Sequence, residues 1–155
     1  MEDLKQKLVW ILVGGASLFL VSMPFYRRLE TNDRRSEAKI TLGFIQTLQK
    51  AHWMDQGRYV AMTENYGAAL EGVENCTRPQ GAVELGLILR SCGKSIEDGG
   101  LRYAYSIELT PDGEDFVARA VSGSELSGKS FICREGQEEL TISKSGEAQI
   151  TKHCL

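Results

Sequence analysis

The chain has 155 residues, with 18 Lys and Arg against 21 Asp and Glu and a formal charge of -3 at pH 7. That length holds one modest domain plus an anchor, and the slight acidic excess argues against a nucleic-acid-binding surface, which needs a basic one. At 42% hydrophobic and 25% charged residues, without a low-complexity tract, the composition is that of a folded protein.

The apolar residues are unevenly spread. Residues 8–26 read LVWILVGGASLFLVSMPFY, about 19 positions without one charge. At about 1.5 Å per residue, a helix of this length nearly crosses a hydrocarbon core of roughly 30 Å, so the segment is expected to span a lipid bilayer. Trp10 and Tyr26 stand near its two ends, where amphipathic rings prefer the interfaces. Gly14 and Gly15 offer a flat surface to a neighbouring helix, and Pro24 removes a backbone hydrogen bond and kinks the chain. These three are the expected helix-packing residues of the anchor. Ser22, Met23, Pro24 and Phe25 do not make the small-x-small site of a cleaved signal peptide, so the anchor is expected to stay.

Lys5 and Lys7 precede the span, and Arg27, Arg28, Arg34 and Arg35 follow it. Taken alone, that bias favours a cytoplasmic C-terminal side. The cysteines point the other way. Cys76, Cys92, Cys133 and Cys154 form an even set in the C-terminal half, as expected of two disulfides in an oxidising compartment. They contain no Cys-x-x-Cys pair, and with His153 they match no compact zinc motif. The expected localisation is therefore a bacterial inner membrane, single-pass, with the head in the periplasm or outside the cell.

After the span, no Gly or Pro intervenes until Gly43. Ala38, Leu42, Ile45, Leu48 or Gln49, and His52 or Trp53 recur at helical spacing. Glu30 with Arg34, and Asp33, Glu37 and Lys39, read as the solvated opposite face. Gly57 is the expected C-terminal breaker of one helix of roughly 45 residues that begins in the membrane. Residues 58–99 read as irregular. They include an apolar run, Val83 to Leu89, consistent with a helical turn or a strand and flanked by Cys76 and Cys92. Stapling that run into a loop of about 15 residues is worth roughly 3 kcal/mol in the chain-entropy picture.

From residue 100 the period changes to two. Leu101–Leu109 and Asp115–Val121 form a hairpin across Thr110, Pro111, Asp112 and Gly113. Ser130–Cys133, Glu139–Ser143 and Glu147–Thr151 are further short strands, with Lys144 to Glu147 as a turn. Cys133 and Cys154 are expected to tie the last strands. The expected fold is α+β, a long helix packed on a small antiparallel sheet. Its parts are an anchor at 1–26, an amphipathic helix at 27–57 and a disulfide-stapled head at 58–155.

No catalytic or cofactor-binding constellation emerges, and an enzyme is not expected. His52 reads as a helix–sheet boundary residue. Ser127, Gly128 and Lys129 lack the upstream glycines of a phosphate loop, and Ser122 to Ser124 read as loop. Asp112 to Asp115 make one short acidic turn, a weak basis for calcium. Glu138 and Glu139 read as solvated carboxylates beside a turn. Asn75, Cys76 and Thr77 match a glycosylation sequon formally.

This order of parts resembles type IV pilins and pseudopilins. Met23, Pro24 and Phe25 are similar to the Pro and aromatic of the pilin helix. Arg35 to Lys39, Leu42, Ile45 and Gln46, and Gln49 to Ala51 resemble the stretch leading off it. Asp55, Gln56, Gly57, Arg58 and Tyr59 look like the turn that ends it, and Gly100 to Tyr105 like the first strand of the head. The resemblance implies an anchored structural or assembly subunit of a pilus, secretion or envelope machine, meeting other pilin-like subunits or machine proteins through its N-terminal helix. One departure is plain. Prepilins carry a Gly before a segment with a helical Glu, whereas here the matching stretch is Glu2 to Lys7, with Lys7 near the Glu position. An uncleaved accessory subunit is the expectation that follows. From a different class, a membrane-anchored periplasmic binding or sensor module is the alternative.

Overall fold

The computed structural model divides the chain into two units, Met1–Arg34 and Arg35–Leu155. It describes residues 35–70, 73–94, 99–122 and 137–152, all in the second unit. Helix α1 covers residues 35–56. It is followed by strands β1 (Met62–Leu70) and β2 (Val73–Asn75), the short helix α2 (Gln80–Glu84), and strands β3 (Tyr103–Leu109), β4 (Phe116–Ser122), β5 (Glu139–Ser143) and β6 (Gln149–Lys152). The architecture is α+β, and the six strands form one antiparallel sheet in the order β2-β1-β3-β4-β5-β6.

The helix forms where the apolar period of 3.6 predicts it. Ala38, Leu42, Ile45 and Gln49 are fully buried, while Leu48 packs at the edge of the core. Burial of each branched aliphatic side chain contributes about 1.5–3 kcal/mol. The helix stops at Gly57, whose φ of 71° is open to glycine, and whose N–H donates to the Trp53 carbonyl at 2.8 Å. Trp53 then stacks on Tyr59 with ring centroids 6.4 Å apart, and Tyr59 meets Phe116 at 5.1 Å. These rings turn the chain from the helix into the sheet.

β4 alternates strictly, with Phe116, Ala118, Ala120 and Ser122 inward. β5 turns Leu140 and Ile142 to the same core, joined by Tyr103, Tyr105 and Ile107 of β3. The other face of the sheet is partly wet, and carries Arg119 paired with Glu108 at 2.9 Å. A single covered face gives the half-buried pattern expected of an antiparallel sheet. Gln46 reaches from α1 to the carbonyls of Ser143 (2.6 Å) and Gly146 (3.0 Å), fixing the turn between β5 and β6.

The largest departure from the sequence reading lies at 58–99. Instead of an irregular stretch, residues 62–70 form the longest strand, β1, hydrogen-bonded to β3 with Tyr66 opposite Tyr105 and Gly67 opposite Ala104. Its period is broken by a register shift between Met62 and Tyr66, which hid it. Gly67 has φ 133°, and a Cβ there would lie 2.5 Å from the Tyr103 carbonyl oxygen, so the pairing needs glycine. The run Val83–Leu89 resolves into the end of α2, a turn and an extended piece. The expected strand Ser130–Cys133 lies outside the described residues.

Candidate functional site

Two polar chains link the first described turns of α1 to the sheet. In one, Arg35 Nε donates to Glu138 Oε1 at 2.7 Å, and the Tyr103 hydroxyl donates to Glu138 Oε2 at 3.0 Å. Glu138 is only 4% exposed, and its backbone exchanges hydrogen bonds with Ser122 at 2.8 and 2.9 Å. The sequence reading of Glu138 as a solvated carboxylate is thus corrected. The chain enters β5 here against the end of β4, which carries the side chain inward onto Arg35. Burial, then the neighbouring carboxylate, pushes the Tyr103 phenol well above its ordinary value.

In the second chain, the Arg102 backbone N–H donates to Glu37 Oε1 at 2.9 Å, with the Arg102 guanidinium 3.9 Å from Oε2. Glu37 reads from sequence as part of the solvated helix face, yet it lies against the sheet. Burial raises its carboxyl above the ordinary 4.5, against the pull of Arg102. The Tyr105 hydroxyl is buried beside Glu37 and Thr41 without a hydrogen bond of good geometry, and burial raises it too. Both chains consume their charges internally. What they do chemically is fix α1 on the sheet.

At the other end of α1, His52 Nδ1 lies 2.9 Å from the Arg58 carbonyl, which only accepts, so Nδ1 carries the proton. Its Nε2 lies 3.4 Å from Glu84 Oε1, the oxygen that accepts from Arg58 Nη2 at 2.5 Å. His52 therefore holds the Arg58 carbonyl beyond the helix stop and stands beside Glu84 of α2.

The acidic turn is occupied by its own chain. Asp112 accepts from Thr110 Oγ1 (2.5 Å) and the Glu114 N–H (3.1 Å), and these bonds hold its exposed carboxyl below the ordinary range. Asp115 Oδ1 accepts from the N–H groups of Phe116 and Lys144, and Lys144 Nζ donates to the Glu114 carbonyl at 2.8 Å. An ammonium group thus lies against the backbone of the turn, and the Asp112 and Asp115 carboxylates already accept from their own chain. Among the described residues, no three His, Cys, Asp or Glu side chains converge as a metal site requires.

Cys76 and Cys92 form a disulfide that closes the loop carrying α2. Between that loop and α1 runs a groove of about 530 Å³, with Ile40 and Phe44 on one wall, Ile88 and Leu89 on the other, and Leu101 and Arg90 also lining it. Neither the groove nor the Glu138 anchor was foreseen from sequence; a lone carboxylate just ahead of a short strand gives no periodic signal. Gly14, Gly15, Pro24, Cys133, Cys154 and His153, with Ser127 to Lys129, lie outside the described residues. So does the apolar segment 8–26, and among the described residues no helix is long and apolar enough to cross a membrane.

Comparison with known proteins returns no matching family model, no curated relative and no matching solved structure.

Proposed function

We propose that the chain is a pilin-like, membrane-anchored structural or assembly subunit of a bacterial pilus, secretion or envelope machine, kept in the inner membrane with its head in the periplasm. The observation that carries this reading is the order of parts. An uncharged segment at residues 8–26 precedes a helix that lays Ala38, Leu42, Ile45 and Gln49 on one face of an antiparallel sheet. A disulfide-closed loop follows that helix. The pairing of Arg35 with Glu138 adds support, because it serves cohesion and leaves surfaces as the means of action. The disulfide supports an oxidising compartment.

The test is the intact mass of the protein extracted from bacterial membranes, before and after reduction and alkylation. The expected result is a full-length chain extracted only by detergent, with all four cysteines oxidised. Release without detergent, a mass lacking the N-terminus, or four free thiols overturns it.

The groove between α1 and the disulfide loop favours a second reading, an anchored binding or sensor module. Exchange of residues 8–26 for an unrelated single-span helix separates the two. A sensor keeps its activity with any anchor, whereas an assembly subunit loses incorporation into its machine.

A further inference from the structure

The face of α1 directly opposite the core is apolar where a solvated face is expected. Ile40 (72% exposed), Phe44 (49%) and Met54 (78%) lie on it with exposed Thr47 and Ala51 between them. The spacing 40, 44, 47, 51, 54 runs four, three, four, three, which is the a/d seam of a coiled coil. At 100° per residue the five positions fall within one narrow stripe, and the buried Ala38, Leu42, Ile45 and Gln49 fall on the opposite side. Glu37, the residue that would extend the seam by another step, is turned away onto Arg102, so the stripe starts cleanly at Ile40.

The flanks of the stripe carry opposite charge. Exposed Lys50 takes the g position and exposed Asp55 the following e position. In a parallel pair of helices, g of one chain faces the e position five residues on in the other, so Lys50 of each copy meets Asp55 of its mate twice over. An antiparallel pair would not align them in this way. Gly43, on the same flank as Lys50, has open space where a Cβ would stand, and with Ala51 it lets two backbones approach. We propose that residues 40–54 of α1 form the seam of a parallel, two-fold homodimer, closed by reciprocal Lys50–Asp55 pairs. The proposal stands on the helix alone and does not depend on the reading above.

A two-fold pair places each seam residue against itself, unlike a stack in which one patch meets a different one. The experiment is light scattering and sedimentation of the full chain in detergent, with circular dichroism to show that each variant keeps its fold. The wild type is expected to dimerise. F44E, a change at a half-exposed position, is expected to weaken the dimer roughly tenfold or more by placing like charges face to face. K50E and D55K each set like charges across the seam and are expected to weaken it. An equimolar mixture of the two, or the double variant, is expected to restore it, since opposite charges then face each other again. Oxidation of T47C is expected to give a self-crosslinked dimer beyond any formed by the wild type. A monomeric wild type, an association indifferent to F44E, or a double variant that fails to recover overturns the proposal.

Discussion

The side-chain amide of Gln49 holds both backbone groups of Val60: Nε2 donates to the Val60 carbonyl at 2.6 Å, and the Val60 N–H donates to Oε1 at 3.0 Å. Gln49 is fully buried at the centre of the apolar face of α1. It acts as a short piece of sheet edge, satisfying the chain where it leaves the helix turn and has not yet joined β1. Q49L keeps most of the volume and leaves a buried donor and acceptor without partners, at a cost of about 2–4 kcal/mol. Urea denaturation measures this, and an unchanged midpoint would remove the clasp from the account. Q49E keeps the acceptor but sets a buried carboxylate against the Val60 carbonyl oxygen, so at neutral pH it is expected to cost at least as much as Q49L.

Arg35 and Glu138 are 103 positions apart in sequence and 2.7 Å apart in space. With Arg35 truncated, a nearly buried carboxylate keeps, among the described residues, only the Tyr103 hydroxyl, so R35A is expected to cost about 2–3 kcal/mol. The pair itself need not be worth that much, since two charges must first leave water. R35M combined with E138L is expected to recover most of the loss. Thermal unfolding of the wild type and the two variants decides it, and a double variant no better than R35A would show that the charges are needed for more than mutual neutralisation.

Tyr103 and Tyr105 sit two residues apart on one face of β3, both essentially buried, and their hydroxyls differ. That of Tyr103 donates to Glu138, whereas that of Tyr105 has no well-formed partner among the described residues. Y103F is therefore expected to destabilise by about 1–2 kcal/mol, and Y105F to be neutral or slightly stabilising. The opposite order would mean that the Tyr105 hydroxyl holds a bridging water that matters. In both, burial favours the neutral phenol. Their contribution is thus present below the ordinary tyrosine range near 10 and is lost as pH climbs through the higher folded values. Ultraviolet absorbance of the phenolate is expected to show both ionising only with unfolding.

The sequence made most of the helix legible, because burial of one helical face imposes a period that survives without knowledge of the partner. Ala38, Leu42, Ile45 and the stop at Gly57 all follow from it. The hairpin of β3 and β4 was equally visible, since β4 alternates strictly in burial and both strands alternate in sequence about a turn with Pro111 and Gly113. β1 was not. Its core residues Met62 and Tyr66 are separated by a register shift, and Gly67 resembles a breaker until Tyr103 is seen passing over it. The pairing of Cys76 with Cys92 could be anticipated as a loop closure, whereas Glu138 and Glu37 could not be told from surface carboxylates. Their burial is decided by strand ends far away in the chain, at Ser122 and Arg102.

Glu37 gives a pH dependence opposite in sign to that of an ordinary ion-paired carboxylate. Desolvation outweighs the hydrogen bond and the charge of Arg102, so its folded-state value lies above the ordinary 4.5. The unfolded chain loses the proton first as pH rises. The contribution of this group is therefore complete below about 4.5 and declines as pH climbs through the folded value. E37Q keeps an oxygen for the Arg102 N–H and removes the buried charge. Relative to the wild type, it is expected to gain stability between pH 4 and pH 7 and to show little difference at the acid end. Urea midpoints of both proteins at the two pH values measure the change. A wild type that gains on E37Q as pH rises would mean that the attraction of Arg102, at 3.9 Å, outweighs the cost of burying the carboxylate.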